Sequence, residues 1–406
     1  MNTFSELSLS PLLEGNLSRN GFVTPTAIQA AAITPALAGE DLIATAQTGT
    51  GKTLAFVLPV IHNLTARTGK DAPSGIRTVI LSPTRELAQQ INETFVKMAA
   101  GSGLKTAVVV GGLSESTQLQ AIRKGAQVVI ATAGRLYDFM SRRLINLSHV
   151  QIFVLDEADR MLDMGFLPTI ERIMAATPAN RQTLLFSATI ENSIRRLLDI
   201  HVPRGVRIEV GSISKPIDRV DLRFYELEQD QKLGVLQNLL KEDEGSFLVF
   251  AKTKHGADRL ARRLGDIGFK TTAIHGDRTQ NQRNQALRGF QSGSYRVLVA
   301  TDVAARGIHV DNISHVVNYD LPMAPEDFIH RVGRTGRAGA RGIASTFGTR
   351  TERSTVAGIE NKLGIRLTRY TAGGEIAAVV PVDEAKNSRK WRTFGPTRGK
   401  RMRRTA

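Results

Sequence analysis

The feature that most constrains the fold is the eight-residue loop 46–53, Ala-Gln-Thr-Gly-Thr-Gly-Lys-Thr. The apolar run before it predicts a buried strand, and the apolar run after it predicts the start of a helix. Strand, glycine-containing loop, Lys-Thr and helix form the phosphate-binding P-loop arrangement, in which backbone N–H groups and the helix N-terminus face the phosphates. Lys52 can then reach the outer phosphates, and the Thr53 hydroxyl can hold a Mg²⁺ ion. The loop predicts a nucleoside triphosphate site, although Ala46 stands where the first glycine is expected; the alternative is a flexible Gly/Thr connection.

The composition bounds the class of protein. A chain of 406 residues is too long for one ordinary core and suits two domains. Hydrophobic residues make up 41% and charged residues 23%, as in soluble globular proteins. We find no apolar stretch long enough to span a bilayer, and no secretory signal at the start. The absence of cysteine excludes disulfides and cysteine metal sites, and it fits the reducing cytoplasm.

The charge points to a polyanionic partner. The formal net charge is +16, and residues 386–406 carry nine Lys or Arg and no Asp or Glu. Such an excess favours nucleic acid first and an acidic membrane surface second. Trp391 and Phe394 lie among the basic residues of this tail and could stack on bases. The alternative is a solvated basic end that aids solubility.

Strands and helices alternate along most of the chain. The strand candidates are continuous apolar runs, which are typical of a parallel sheet covered on both faces. They lie at residues 41–45, 76–81, 107–110, 128–131, 152–155 and 183–186, and again at 247–250, 271–274, 297–300, 315–318 and 343–347. A polar cluster follows each strand of the first half. Because ligands bind at the carboxyl ends of such strands, we expect these clusters to share one edge of the sheet with the P-loop.

The pattern divides the chain into two α/β domains. Pro, Gly, Ser and charged residues interrupt the alternation between Pro203 and Asp221, and this composition predicts a linker. We place the domains at residues 1–209 and 221–370, with residues 210–220 as the linker. Residues 371–406 form a basic tail that we expect to be disordered.

An acidic cluster follows the strand at 152–155. Asp156 is placed like a Walker B aspartate and can hold magnesium opposite the P-loop hydroxyl. Glu157 is then placed to orient or deprotonate an attacking water. The alternative is a helix N-terminus that carries acids, but the upstream P-loop favours the catalytic interpretation. We expect Asp159 to make polar contacts with neighbouring motifs rather than touch the metal.

An arginine-rich run lies in the half that lacks a P-loop. Within residues 330–337, Arg334 and Arg337 are separated by two small residues, a threonine and a glycine. Arginines presented to another domain's phosphates stabilise charge in the phosphoryl-transfer transition state. The alternatives are surface loop arginines or direct contacts with nucleic-acid phosphates. The P-loop in the first half favours the arginine-finger interpretation.

A segment upstream of the P-loop could read the base. Residues 21–29 offer Thr24 or Thr26 as the cap of a helix that starts near Pro25. This structural role explains most of the segment. Gln29 has an amide that can donate to and accept from the edge of adenine.

These motifs, in this order, resemble those of the DEAD-box ATP-dependent RNA helicases, and most closely the bacterial RhlE-type branch. In the first half the similar segments are Phe4 and 21–29 (Q motif), 46–53 (motif I), 83–88 (Ia), 111–112 (GG), 132–135 (Ib), 156–159 (the DEAD tetrapeptide) and 187–189 (III). In the second half they are 247–254 (IV), His275, Gly276, Gln280 and Arg283, 300–307 (V) and 330–337 (VI). The resemblance covers roughly residues 2–370, and family members commonly have alanine at the position of Ala46.

The resemblance implies two RecA-like parallel-sheet domains and a role for each motif residue. The implied ATP-binding residues are Phe22, Thr24, Gln29, Ala46, Gln47, Thr48, Gly49, Thr50, Gly51, Lys52, Thr53 and Gly307, with Mg²⁺ on Thr53 and Asp156. The implied catalytic residues are Lys52, Asp156, Glu157, Arg334 and Arg337. Ser187 and Thr189 would help couple hydrolysis to RNA. Nine residues, here called the RNA track, would bind RNA: Pro83, Thr84, Arg85, Gly112, Thr132, Gly134, Arg135, Gly276 and Thr301.

Two positions depart from the family pattern. Ala133 replaces the usual proline of motif Ib, which would loosen one RNA-contacting turn modestly. His309 replaces the usual aspartate of motif V and cannot supply a carboxylate. We hypothesise weaker ATP binding or slower RNA-stimulated hydrolysis than in a typical member; the hypothesis fails if His309→Asp raises neither quantity.

The main functional hypothesis is an RNA-dependent ATPase that unwinds short RNA duplexes when ATP and RNA close the two domains. The resemblance also implies a cytoplasmic monomer that acts without a membrane, with ribosomal or RNA-decay assemblies as open possibilities. One alternative is an ATP-gated RNA clamp or RNP remodeller with little unwinding activity. Another is a DNA helicase on the same core, against which the Q motif argues. A small-molecule ATPase whose tail contacts a membrane would leave the second-half motifs unexplained.

Overall fold

The structure is a computed structural model that describes residues 3–46, 49–66, 75–190, 192–210, 220–305, 313–336 and 341–376. It contains two parallel sheets of seven strands each, which form two α/β domains. The strands of the first sheet are β1 Leu42–Thr45, β2 Thr78–Leu81, β3 Thr106–Val109, β4 Val128–Ala131, β5 Ile152–Leu155, β6 Gln182–Ser187 and β7 Val206–Glu209. The strands of the second are β8 Val220–Glu226, β9 Phe247–Phe250, β10 Thr271–Ile274, β11 Val297–Ala300, β12 His315–Asn318, β13 Gly342–Gly348 and β14 Thr368–Tyr370.

Helices cover both faces of each sheet. Those of domain 1 are α1 Pro11–Arg19, α2 Ala27–Leu37, α3 Lys52–Ala66, α4 Arg85–Met98, α5 Glu115–Arg123, α6 Ala133–Ser141, α7 Ala158–Asp163, α8 Leu167–Ala175 and α9 Asn192–His201. Those of domain 2 are α10 Gln231–Glu242, α11 Lys254–Asp266, α12 Gln280–Gln291, α13 Asp302–Ala305, α14 Pro325–Val332 and α15 Arg353–Leu363. Successive residues of β1 show why both faces are apolar: Leu42 and Ala44 join one hydrophobic core, and Ile43 joins the other.

The two sheets have the same strand order. In domain 1 the order is β3-β4-β2-β5-β6-β1-β7, and in domain 2 it is β10-β11-β9-β12-β13-β8-β14. All pairings between these strands are parallel. Each strand of domain 1 therefore has a positional counterpart in domain 2, and β1 corresponds to β8. Parallel pairing also places the carboxyl ends of the strands at one edge of each sheet, as the sequence predicted.

Helix α4 illustrates how the sequence determines an element. Its apolar residues Leu87, Ile91, Phe95 and Met98 recur at helical spacing, and all four are buried. The hydroxyl of Thr84 caps the helix by accepting a hydrogen bond from the Leu87 N–H, at 3.2 Å. The prediction of a helix opened by residues 83–88 is confirmed, and the cap explains where it begins.

The stretch between Pro203 and Asp221 was only partly predicted. Its composition indicated a linker, but β7 pairs with β1, and β8 begins at Val220, inside the range assigned to the linker. The interpretation of the whole stretch as linker is therefore wrong. Strand β7 is a four-residue edge strand, which needs little apolar sequence because only β1 pairs with it. Strand β8 lies between β13 and β14, and its first apolar residues alternate with charged ones. Strand β14 was also missed, and the expected tail begins with placed residues, since Ile376 bridges back to Tyr370.

Several predicted features lie outside the described residues. They are Gln47, Thr48, most of the linker, Gly307 and His309 of motif V, Arg337, and the tail beyond residue 376. Across the described ranges, no helix combines the length and the hydrophobicity needed to cross a membrane.

Candidate functional site

The P-loop connects β1 to α3 at the carboxyl edge of the first sheet. Gly49 and Gly51 have φ values of +84° and +91°, a backbone conformation that residues with a Cβ rarely adopt. A Cβ at Gly51 would also collide with the Gln29 side chain. Both glycines are therefore required by the turn, as the sequence predicted for a phosphate loop.

Lys52 is the first residue of α3, and only 6% of its surface is exposed. Its ammonium group donates a hydrogen bond to the carbonyl of Ala46, at 2.9 Å, across the mouth of the loop. Thr53 follows it and is partly buried. A positive charge and a hydroxyl thus lie at the start of a helix, where the helix dipole also favours anions.

Gln29 connects the Q segment, residues 21–29, to the P-loop. Its Oε1 accepts from the Thr26 N–H at 2.9 Å, and its Nε2 donates to the Gly51 carbonyl at 3.0 Å. Thr26 caps α2, as the sequence allowed, and the first helical residue is Ala27 rather than Pro25. The amide is thus engaged within the protein on both sides, while the Phe22 ring, expected to stack on a base, is exposed. Whether Gln29 also reads adenine stays a prediction.

Asp156 lies at the carboxyl end of β5, and only 3% of it is exposed. One carboxylate oxygen accepts a hydrogen bond from the Glu157 N–H, at 3.1 Å. Burial raises the pKa of Asp156 to about 7, and the negative charge of Glu157 contributes, while the positive charge of Lys52 opposes the rise. A buried carboxylate held in this way would gain its ionised form if a cation bound beside it.

Glu157 has a left-handed backbone conformation, with φ +51° and ψ +52°, at the start of α7. Such a conformation costs a residue with a Cβ about 1 kcal/mol, and it recurs at functional sites. The Glu157 carboxylate forms a buried ion pair with Arg160, at 2.5 Å. Burial opposes ionisation, but the charges of Arg160, Lys52 and Arg334 lower the pKa of Glu157 to about 2. Glu157 is therefore ionised at neutral pH, as a residue that orients or deprotonates water must be.

Asp159 joins the acidic cluster to the end of β6. One of its oxygens accepts from the backbone N–H groups of Ala188 and Thr189, at 2.9 and 3.1 Å. Its own N–H donates to the Ser187 hydroxyl, at 3.3 Å, and that hydroxyl donates to the Thr189 carbonyl, at 2.7 Å. The prediction that Asp159 contacts a neighbouring motif is confirmed.

Domain 2 contributes basic residues to the same site. Arg334 is buried, and its charge is among those that lower the pKa of Glu157 in domain 1. His330, one turn earlier, lies near Arg160 and Asp159 of domain 1. A small cavity at this junction is lined by Arg160, Phe250, Asp302, Asp327, His330, Arg331 and Arg334. The structure thus brings Arg334 to the acidic cluster, as the finger interpretation expects.

Arg331 has a different role from Arg334, although both lie in the same motif. Its guanidinium forms two hydrogen bonds with the Asp302 carboxylate, at 2.6 and 2.7 Å. It also donates to the side chain of Asn318 and to the carbonyl of Asp320, at 3.2 and 2.7 Å. Because these partners all lie in domain 2, Arg331 holds the carboxyl ends of β11 and β12 together.

The RNA track begins with Arg85 and Gly112 in domain 1. A Cβ at Gly112 would collide with the guanidinium of Arg85, and Gly112 has φ +74°. Partial burial lowers the pKa of Arg85, and the nearby positive charges of Arg283 and Arg135 act in the same direction. The track therefore combines a close backbone approach with a cluster of cations, which suits a phosphate backbone.

The remaining track residues lie at the same edge of each sheet. Arg135 is 3.7 Å from the Glu115 carboxylate, which it shares with Arg142. Pro83 and Thr84 are buried at the start of α4, whereas Gly134 and, in domain 2, Gly276 are exposed. Thr132 directly precedes α6, and Thr301 follows β11; both are partly buried.

A second junction between the domains lies beside this track. Glu86 of α4 is buried, and its Oε1 accepts from the Gln280 amide at 2.8 Å. The same oxygen forms an ion pair with Arg283 Nε, at 2.8 Å. Both partners are on α12 of domain 2. The two domains are therefore joined at the acidic cluster and, separately, beside the residues of the expected RNA track.

Sequence reasoning gave no role to Arg160, Asp302 or Glu86. The spacing of Glu157 and Arg160, three apart on a helix, was a usable signal for an ion pair. No local pattern could pair Glu86 with Gln280, because the two residues are 194 positions apart.

Comparisons with known proteins agree with these motifs. Residues 26–197 match the family model described as DEAD/DEAH box helicase, and residues 231–339 match that of the helicase conserved C-terminal domain. The ATP-dependent RNA helicase CshA of Listeria monocytogenes is 42% identical over 350 residues, which are 86% of this chain and 66% of the relative. The DEAD-box ATP-dependent RNA helicase CshA of Bacillus cereus is 40% identical over 92% of this chain and 70% of the relative. This chain thus spans slightly less than two thirds of the Listeria relative.

Solved structures share the fold over both domains. Dbp5 of S. cerevisiae, bound to RNA and ADP BeF3, has a TM-score of 0.80 and 31% identity, covering 92% of this chain and 96% of its own. A DEAD box protein from the hyperthermophile Methanococcus jannaschii has a TM-score of 0.54 and 37% identity, covering 91% and 99%.

Proposed function

The chain belongs to the DEAD-box family of RNA helicases, and we propose from this membership and from its site that it is an RNA-dependent ATPase that locally unwinds short RNA duplexes. The observation that carries the proposal is the position of Arg334, a domain 2 residue whose charge acts on Glu157 of domain 1. A site completed by a second domain can respond to any ligand that brings the domains together. RNA bound across both domains is such a ligand.

The ATP site is proposed at the carboxyl ends of β1 and β5. Lys52 and the P-loop backbone hold the phosphates, and the ionised Glu157 orients the attacking water and accepts its proton. Arg334 stabilises the charge that develops on the transferred phosphoryl group. Phe22, Thr24 and Gln29 form the adenine end of the site.

The residues at this site also suit magnesium. A hydroxyl and a carboxylate, on Thr53 and Asp156, are the hard oxygen ligands that Mg²⁺ prefers. Asp156 is buried with a raised pKa, so a bound cation would stabilise its ionised form. When bound, the ion would neutralise phosphate charge during hydrolysis. Among the described residues no cluster of three His, Asp or Glu forms a cage, which fits an ion that keeps phosphate and water ligands.

RNA binding and ATP binding are proposed to be coupled through the junction between the domains. The Glu86 contact with Gln280 and Arg283 lies beside the RNA track, while Arg334 lies at the ATP site. Each ligand stabilises the arrangement that the other needs, so each must raise the affinity of the other by the same factor. The joined arrangement would bend one strand and release its partner.

The similarity to solved structures supports this arrangement. The match to Dbp5, bound to RNA and ADP BeF3, has the higher TM-score at the lower sequence identity, and the Methanococcus protein has the reverse. Since both matches cover about nine tenths of this chain, we attribute the difference to how the two domains are placed. This difference supports the proposal that the two domains are placed here as in the protein bound to RNA and a nucleotide analogue.

Further features remain proposals of the same kind. They are the domain boundaries, the RhlE-type branch, the remaining ATP and RNA residues, a cytoplasmic monomer, and a role in ribosomal or RNA-decay assemblies. They also include Arg337 as a second finger and the tail as a non-specific RNA-binding segment.

The test compares ATP hydrolysis by the purified chain with and without RNA, beside a duplex-release assay on RNA duplexes of increasing length. We expect RNA to stimulate hydrolysis, and only short duplexes to be released. Lys52→Ala and Glu157→Gln should strongly lower both activities. No stimulation by RNA contradicts the proposal, RNA stimulation without duplex release favours the clamp, and equal stimulation by DNA favours the DNA helicase.

A further inference from the structure

Helix α11 of domain 2 carries an exposed row of basic side chains. Its inner face is apolar and buried, through Ala257, Leu260, Ala261 and Leu264. The opposite face carries four exposed basic residues, His255, Arg259, Arg262 and Arg263, here called the α11 stripe, and it ends at one exposed acid, Asp266. Helical spacing places these four within about 100° of one another around the helix. The stripe is therefore one continuous surface rather than scattered charges.

The three arginines of the stripe outnumber the one acid on their face of the helix, Asp266. Within the described part of the chain, none of them forms an ion pair or a side-chain hydrogen bond. Other arginines of the domain do, such as Arg278 with Asp258 at 2.6 Å and Arg353 with Glu226 at 2.6 Å. Like charges three and four positions apart destabilise a helix by about 0.2–0.5 kcal/mol per pair. A solvated face would be more stable with alternating charges, so the repulsion indicates a polyanionic partner.

The stripe begins where the RNA track ends. The first turns of α11 hold the loop after β10: Lys254 pairs with Asp277 at 2.6 Å, and Asp258 is 2.8 Å from His275 Nε2. Gly276, the exposed track residue, lies between these two contacts. A nucleic-acid strand that leaves the track at Gly276 would therefore meet the start of α11 first.

We propose that the α11 stripe binds the phosphate backbone of an RNA segment that flanks the track. From His255 to Arg263 the helix rises about 12 Å, which matches three to four phosphates at about 3.4 Å per nucleotide of a strand. Guanidinium groups bind phosphate oxygens with paired hydrogen bonds, and such contacts are independent of sequence. The proposal rests on the proposed function, because it extends the RNA track beyond the residues that the family pattern marks.

The first experiment neutralises the stripe with Arg259→Gln, Arg262→Gln and Arg263→Gln in the full chain. Binding is measured at several salt concentrations for a short RNA that fills only the track and for RNAs extended at either end. We expect affinity for one extended RNA to fall about five- to tenfold, with a salt slope smaller by about two, because each lost phosphate contact removes about 0.7 from the slope. Affinity for the short RNA, and the ATP hydrolysis that it stimulates, should stay within twofold.

A matched control removes the same charge elsewhere. Arg196, Arg204 and Arg207 are exposed near edge strand β7 of domain 1, on the far side of the sheet from the track strands β2–β4. Changing these three to Gln should leave binding of all RNAs unchanged. Equal losses in both triple variants would overturn the proposal, since they would reflect net charge alone. Unchanged binding of extended RNA by the stripe variant would also overturn it and would leave an acidic protein segment as the partner.

The second experiment uses the absence of cysteine in the chain. A single cysteine at Arg262→Cys, labelled with a photoactivatable group, should crosslink to nucleotides outside the track on extended RNA and give no product with the short RNA. Labelled Arg207→Cys should give none with either. Crosslinks only to nucleotides inside the track, or no crosslinks at all, would refute RNA binding by the stripe. If the short RNA does not stimulate ATP hydrolysis by the wild-type protein, the proposed function itself has failed. This outcome is separate from failure of the stripe.

Discussion

The carboxyl ends of β1 and β8 occupy corresponding positions in the two sheets. Similar charged residues lie near both ends, but the loops that follow the two strands differ. Lys52 starts the helix after β1, and Lys232 lies in the first turn of the helix after β8. Each lysine donates to a backbone carbonyl, of Ala46 at 2.9 Å and of Tyr319 at 3.1 Å. In each sheet an aspartate follows the strand two positions away, Asp156 after β5 and Asp320 just beyond β12. The scaffold therefore supplies a lysine and an aspartate twice.

The connecting loops separate the two sites. In domain 1 the loop 46–51 contains two glycines with positive φ, which leave room for phosphates. In domain 2 residues 227–230, Leu-Glu-Gln-Asp, contain no glycine and two acids, and Lys232 is 2% exposed and 3.6 Å from Asp320. The lysine of domain 2 is thus neutralised internally. A lysine and an aspartate on this scaffold form a structural ion pair unless a glycine loop opens the site between them.

The largest effect should come from the residue of domain 2 that we propose completes the site in domain 1. We expect Arg334→Gln to lower single-turnover ATP hydrolysis in the presence of RNA by about 10³-fold or more, as for arginine fingers in general. ATP binding to domain 1 should change little. Arg331→Gln is the matched control: its guanidinium bonds only within domain 2 among the described residues, so it should lower the thermal stability of that domain. Equal loss of turnover in both variants at unchanged stability would contradict the division of roles.

The second prediction distinguishes Lys52, which should affect ATP hydrolysis, from Lys232, which should affect stability. Lys52→Ala should lower ATP hydrolysis by about 10²–10³-fold, because a positioned charge at the transferred phosphates is lost. Lys232→Ala should leave the specific activity of folded protein within about twofold but lower the unfolding free energy of domain 2 by about 1–3 kcal/mol, since a buried polar partner is left unpaired. Urea unfolding and steady-state hydrolysis measure the two quantities. A Lys232 variant with normal stability and lost activity would show that domain 2 has a phosphate site after all.

The sequence predicted the parts of this comparison that depend on local pattern. Continuous apolar runs located eleven strands, and the glycine loop located the tight turn at which we propose the ATP site, because periodicity and backbone freedom are local properties. The pairing of Lys232 with Asp320 and of Glu86 with Arg283 depended on the sheet order and on the placement of the domains. The left-handed conformation of Glu157 was also invisible, because no residue type at that position requires it.

The smallest expected effect concerns how pH acts on the junction between the two regions. Burial lowers the pKa of His330 to about 4; the charges of Arg160 and Arg334 act in the same direction, and Asp159 and Asp327 oppose them. With the domains apart, the pKa should return towards its usual value of about 6.5. Between these values the joined form binds fewer protons, so joining should weaken as pH falls below about 6.5 and level off below about 4.

At pH 5.5 the two pKa values correspond to a domain-joining equilibrium about tenfold weaker than at pH 8. Fluorescence energy transfer between one introduced cysteine in each domain, with RNA and a non-hydrolysable ATP analogue, measures this directly. His330→Gln should flatten the profile between pH 8 and 5.5. The pKa of His315 is also lowered, mainly by burial, but His315 lies inside domain 2 and bonds to Ser345, so it should affect the stability of that domain and not the joining. A profile that stays steep in His330→Gln would show that groups other than His330 cause the pH dependence of domain joining.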